Sequence, residues 1–190
     1  MGDLSPGFAD PAADAQSCFR TILDALCRPG QVVSLPVTLT PPRPLSRAAA
    51  AILLALVDPT VRVSLPPGTE AARAWLAFHR GVQCTPPAEA DFIFALARPP
   101  LASLRAGSDD EPEQGATLLL DLPRFGAGRR YLLTGPGIET VASLHAPLDA
   151  TFAAEWRVMR AAWPRGIDIF LCAGAEVIGL PRSLAIVEAA

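Results

Sequence analysis

The sequence predicts an α/β domain in which a mixed sheet carries packed helices. Three observations lead there. Apolar residues recur at helical spacing in several segments of the first half, while short apolar runs of strand length dominate the second. Twenty prolines and fourteen glycines punctuate these segments. A chain of 190 residues that is 51% hydrophobic can bury a substantial core, and its length suits one domain.

The elements follow in order. DAQSCFRTILDALCRPG, 14–30, has Cys18, Phe19, Ile22, Leu23, Leu26 and Cys27 at helical spacing, and Pro29-Gly30 stop the helix. QVVSL, 31–35, reads as a strand, and TPPRP, 40–44, leads into a second helix that ends at Asp58-Pro59. VRVSL, 61–65, is the next strand. Thr69 and Glu70 open a third helix with Ala72, Trp75, Leu76 and His79 on one face, closed before Gly81. DFIFAL, 91–96, is a strand followed by a short helix near 100–105. The polar segment GSDDEPEQG, 107–115, has little to bury and reads as a mobile loop. ATLLLDL, 116–122, and RRYLLTG, 129–135, flank RFGA and predict an antiparallel hairpin. Asp149 to Ala162 predicts the last helix, closed by Pro164, and LAIVE forms a final strand.

Between them lies PRGIDIFLCAGAEVIGLPRS, 164–183, two apolar runs meeting at Gly174-Ala175. A two-residue type II′ turn there pairs Ala173 with Glu176, Leu171 with Ile178, Ile169 with Leu180 and Ile167 with Arg182. Arg165 and Arg182 then share the open end of the hairpin. They are either an anion clamp, two guanidiniums able to hold a phosphate or a partner's carboxylates, or the polar edge of a buried sheet. Asp168, in line with Phe170 and Cys172, must meet an arginine or several backbone donors to be tolerated on an apolar strand.

Composition excludes several functions. The formal charge of -3 lacks the clustered positive surface that nucleic acid requires. The sixteen basic residues are all arginine, so no lysine exists to form an internal aldimine or to complete a P-loop. The four cysteines, at 18, 27, 84 and 172, form no CxxC pair and read as reduced thiols. Neither they nor the two histidines suggest a metal site, and no cofactor is expected. The longest apolar run, AAAAILLALV at 48–57, is half a membrane span. With no leader pattern at the start, a soluble cytoplasmic protein is expected.

The remaining candidates are sparse. Thr134, Gly135 and Gly137 follow a strand, as a phosphate loop would, but Pro136 removes a backbone donor and the spacing fails the dinucleotide pattern. His79 is a general base or a histidine of the core or an interface. The acidic run Asp109, Asp110, Glu111, Glu113 lacks a scaffold for a metal. No Ser-His-Asp set, GxSxG elbow or HExxH motif is present.

Taken together, DAQSCFRTILDALCRPG, Phe78-His79, GATLLL at 115–120, LLTGPGIE at 132–139 and the 164–183 hairpin, in that order, resemble the PhnH family of the bacterial carbon–phosphorus lyase system. The resemblance implies a fold similar to pyridoxal-phosphate-dependent transferases without their cofactor lysine. It implies a homodimer in isolation and a core complex with the G, I and J subunits, including a contact with J. That complex is associated with making α-D-ribose 1-methylphosphonate 5-triphosphate from ATP and methylphosphonate. The resemblance supplies no catalytic residue.

Overall fold

The computed structural model describes residues 4–189. Four helices and ten strands follow in the order α1 (Pro11–Cys27), β1 (Val33–Ser34), α2 (Arg47–Leu56), β2 (Arg62–Ser64), α3 (Glu70–Arg80), β3 (Gln83–Cys84), β4 (Phe92–Ala95), β5 (Thr117–Asp121), β6 (Arg129–Thr134), β7 (Ala142–Ala146), α4 (Phe152–Arg160), β8 (Asp168–Ala173), β9 (Glu176–Leu180) and β10 (Ala185–Glu188). Helix starts are built locally. Asp10 caps α1 by accepting from Ala12 and Ala13 N–H, and Ser46 caps α2 by accepting from Ala49 N–H. Gly81 ends α3 in the left-handed conformation.

A seven-stranded mixed sheet has the order β1-β9-β8-β5-β4-β2-β3, with β8, β5, β4, β2 and β3 parallel and β9 antiparallel to its neighbours. Its central strands alternate between two cores. Leu119, Phe170, Cys172 and Val177 face α1, α2 and α3, whereas Leu118, Leu120, Ile169, Leu171, Ile178 and Leu180 face the other way. That second face is covered by α4 and by a three-stranded antiparallel sheet, β10-β6-β7. Strands buried on both sides read as continuous apolar runs, which explains LLL in β5 and IFLC in β8.

The mixed α/β architecture is as the sequence predicts, but the pairing of β5 with β6 is not. The segments 116–122 and 129–135 form no hairpin. β5 lies parallel between β4 and β8, while β6 joins β7 and β10 in the separate sheet. Both partners of β5 are strands of equal apolarity far away in sequence, so burial on two faces outweighs proximity. The expected helix near 100–105 is a single 3-10 turn at Leu101–Ser103.

Close backbone contacts fix the layers. A Cβ on Gly179 of β9 would lie 2.5 Å from the Ala25 carbonyl oxygen of α1, and one on Gly137 would lie 2.1 Å from that of Cys27. On the far face Arg98 anchors α4. Its Nε and Nη2 donate to Asp149 at 2.8 Å, its Nη1 and Nη2 to Glu155 at 2.9 and 3.0 Å, and its side chain is only 6% exposed. Bonds from Arg98, opposed by burial, hold Glu155 down from 4.5 to about 2 and Asp149 well below the usual carboxylate range.

Two outcomes are expected. Gly179→Ala forces backbone against backbone and lowers unfolding stability by about 2 kcal/mol or more in urea titrations. The depressed carboxylates stabilise the fold fully above their unfolded values and lose that contribution as pH falls, for Glu155 between 4.5 and about 2. Urea midpoints measured down this range fall steeply for the native chain and less steeply for Arg98→Met, which starts lower.

Candidate functional site at the amino edge of the sheet

The 164–183 hairpin forms with the expected register from Ala173–Glu176 to Ile169–Leu180. Gly174 has φ +59° and, among the described residues, no non-glycine has positive φ, so Ala175 excludes a type I′ turn. The ladder stops there, because Pro181 has no N–H to donate and opens a turn closed by Leu184 N–H on its carbonyl. Ile167 and Arg182 therefore do not pair. Arg182 instead folds over the strand end onto Asp168, which the alternation of strand faces had placed on the opposite side.

That contact is extensive. Asp168 Oδ1 accepts from Arg182 N–H at 2.8 Å, and Oδ2 accepts from Arg182 Nη2 at 2.6 Å and Nε at 3.2 Å. Arg182 Nη1 also donates to the Pro112 carbonyl, tying the 107–115 segment to the hairpin. Gly115 is required beneath it, since a Cβ there would lie 2.1 Å from the Gly166 carbonyl oxygen. Arg165 goes elsewhere. It pairs with exposed Asp109 at 3.2 Å and borders an apolar groove along α4.

A second ion-pair cluster adjoins the first. Asp91, at the start of β4, accepts from Arg62 N–H, Nε and Nη2, and its Oδ1 also pairs with Arg105. Burial opposes ionisation of Asp91, yet the bonds from Arg62 and the charge of Arg105 keep its pKa below the usual carboxylate range. Arg105 Nε is enclosed and has no hydrogen-bond partner among the described residues. Together with Glu113, these groups line a cavity of about 730 Å³ at the amino ends of β2, β4, β5 and β8. Three guanidiniums face three carboxylates, and Asp91 and Asp168 between them engage all three. No histidine, cysteine or serine lines the cavity.

The other sequence candidates lie apart from this edge. His79 sits between Trp75 and Phe78 with its Nε2 3.1 Å from the Ser5 carbonyl oxygen, which Trp75 Nε1 also reaches at 2.7 Å. Both rings tether the amino-terminal segment to α3. Thr134 ends β6, paired with Ala185 of β10, and Gly135 and Gly137 belong to the β6–β7 connection, where Gly137 (φ +82°) packs on the end of α1 and Ile138 N–H closes onto Gly135 O. All four cysteines are free, and among the described residues no three His, Cys, Asp or Glu side chains converge as a metal site. No helix among them is long and apolar enough to cross a membrane.

Sequence reasoning missed Arg62, Asp91 and Arg105, and also Asp121. Asp121 ends β5 opposite Cys172, and its Oδ1 is enclosed without a hydrogen-bond partner among the described residues. Burial pushes the pKa of both groups up, with Ser46 partly offsetting this for Asp121. The available signal was positional: Arg62, Asp91 and Asp168 each stand at or beside the first residue of a parallel strand.

The model of the family described as bacterial phosphonate metabolism protein (PhnH) matches residues 6–187. The chain belongs to the PhnH family. The subunit PhnH of α-D-ribose 1-methylphosphonate 5-triphosphate synthase from Rhizobium meliloti (strain 1021) is 34% identical over 186 residues, covering 94% of this chain and 93% of that protein. HtxG of Stutzerimonas stutzeri is 33% identical over 173 residues, covering 88% and 83%. In this PhnH-family chain the polar end of the hairpin is saturated internally, Asp168 and Arg182 by each other and Arg182 also by the Pro112 carbonyl.

Removing one partner tests that saturation. Asp168→Ala strands the Arg182 guanidinium and is expected to cost about 2–3 kcal/mol of unfolding stability, whereas Asp168→Leu combined with Arg182→Met recovers part of the loss in the same urea assay.

Proposed function

We propose that this PhnH-family chain is the H subunit of a carbon–phosphorus lyase core complex. It supports formation of α-D-ribose 1-methylphosphonate 5-triphosphate from ATP and methylphosphonate by assembly, and another chain carries the catalysis. The observation that carries this reading is the end-to-end match to a relative named as a subunit of that synthase. The chain's own chemistry agrees, because the polar cluster at the amino edge consists of arginines paired with carboxylates, and among the described residues no nucleophile and base meet there. The absence of lysine from the sequence is consistent with a fold similar to pyridoxal-phosphate-dependent transferases that binds no such cofactor.

The surface offered to partners is apolar. A groove of about 450 Å³ runs between α4 and the turn at Leu101–Ser103, floored by Leu101, Leu104 and Met159. Val158 on its rim is 71% exposed, and Trp163 just beyond is 63% exposed. In this reading the protein works in the cytoplasm, forms a homodimer alone and joins the G, I and J subunits when they are present. Co-expression with those three subunits and affinity capture is expected to recover a stable complex. Val158→Asp lowers recovery about fivefold or more without shifting the thermal midpoint, and failure of the native chain to co-purify sinks the proposal.

A second reading, that the hairpin edge holds an anion or nucleotide, draws on the unpartnered Arg105 Nε–H and the adjoining cavity. In it, Arg182 and Arg105 hold ATP or methylphosphonate, Asp168 orients them, and Arg165, His79, Thr134, Gly135 and Gly137 take interface positions. Calorimetry with each ligand on the isolated chain is expected to give heat that Arg105→Met abolishes, and absence of heat at millimolar ligand excludes it.

A further inference from the structure

At the opposite edge the sheet opens. From the carboxyl end of β2 the chain enters α3, whose Ala72, Trp75 and Leu76 are buried in the core on one face. From the carboxyl end of the adjacent parallel strand β4 it runs to Leu101 and Leu104, buried in the core on the other face. β3 meanwhile returns on the outer side of β2. Two neighbouring parallel strands whose connections leave toward opposite faces part the chain at a topological switch point, and a crevice results. Here it has a volume of about 540 Å³, within the usual range for a small-molecule site.

The lining is selective. Pro66, Pro67, Pro86, Pro87 and Pro99 border it, and their fixed φ angles hold the mouth in shape without backbone N–H groups. Polar groups are few and convergent. Val63 pairs with Cys84, so the next residues, Ser64 and Thr85, lie side by side. Ser64 is buried, and Thr85 Oγ1 is shut off from solvent with no hydrogen-bond partner among the described residues. Arg73 of α3 supplies the only charge in the lining. It donates through Nη2 to the Leu65 carbonyl at 2.6 Å and makes no ion pair among the described residues. In contrast to the amino edge, no carboxylate competes for this guanidinium.

We infer that the switch-point crevice binds a small organic anion of the three-oxygen phosphorus type, a phosphonate or a phosphate monoester. Arg73 holds the acid group, the Ser64 and Thr85 hydroxyls complete its donors, and the organic stem lies against Leu65 and Phe94. A phosphonate or phosphate monoester brings three acceptor oxygens and up to two negative charges to this guanidinium and its two hydroxyls, against two oxygens and one charge for a carboxylate, which favours the three-oxygen group. The site is separate from the α4 groove, so complex assembly and ligand binding can succeed or fail independently.

Calorimetry on the full chain with propylphosphonate, propyl phosphate and butyrate tests this. The two phosphorus acids are expected to bind, with whichever is tighter identifying the source, and butyrate to bind about tenfold more weakly or not at all. Arg73→Gln weakens the phosphorus acids about tenfold or more, and Thr85→Val weakens them about threefold. Independently of any variant, saturating propylphosphonate slows iodoacetamide labelling of Cys84, a free thiol in the crevice, about fivefold, and leaves exposed Cys27 unchanged. Absence of heat from both phosphorus acids at millimolar concentration, binding that survives Arg73→Gln, or binding lost instead in Arg182→Met would overturn the inference.

Discussion

The structure depends on one crowded contact, the approach of two backbones to the end of α1. Gly179 in β9 lets the helix lie on the sheet at Ala25, and Gly137 in the β6–β7 connection lets the smaller sheet's turn close on Cys27. Gly30 completes the clasp, for a Cβ there would fall 2.6 Å from Leu133 Cδ1 while its N–H reaches the Gly179 carbonyl. Helical layer, main sheet and second sheet meet within a few residues. The sequences around these glycines are CRPG, LLTGPG and EVIGL. Their shared constraint is steric, because any side chain at Gly137 or Gly179 would separate layers that bury the core.

Once the layers are fixed, both faces of β5 and β8 are dry and polar groups are driven to the strand ends. At the amino edge every arginine has a carboxylate, and both aspartates also accept from backbone: Asp91 from Arg62 N–H, and Asp168 from Arg182 N–H. Such pairs act as fasteners at strand ends, Asp91 taking the opening N–H of β2 and Asp168 the N–H of Arg182 just beyond β9. The same logic places Arg98 over Phe152, where one guanidinium satisfies Asp149, Thr151 and Glu155 and docks α4. Desolvation is tolerated because nearly every donor is used.

Much of this was legible in the residues. The register of β8 and β9 was readable because a two-residue turn with glycine first leaves a single alignment, and α3 because its apolar stripe and Gly81 agree. The false hairpin between 116–122 and 129–135 arose because local spacing says nothing about which distant strand offers a better buried partner. Arg182 meeting Asp168 across the strand faces depends on Pro181 ending the ladder, a detail visible only once the register is known. The charged edge was hidden for a different reason. Arg62, Asp91, Arg105, Asp168 and Arg182 lie on separate segments, and only the parallel order of the strands brings them together.

Strand direction therefore divides the molecule's chemistry. The amino ends of the parallel strands carry opposite charges in equal number, with each arginine paired to an aspartate, so that edge is electrostatically quiet. At the carboxyl ends the connections diverge, proline holds them apart, and one guanidinium stands without a carboxylate. An arginine without a counter-ion in a half-enclosed crevice is a standing attraction for anions, because partial burial weakens screening while leaving the approach open. Paired arginines at the amino edge lack that attraction, although they outnumber it three to one. The hairpin that first draws the eye is accordingly the fastener, and the less conspicuous VSLPPG and QCTPP segments frame the better-prepared anion site.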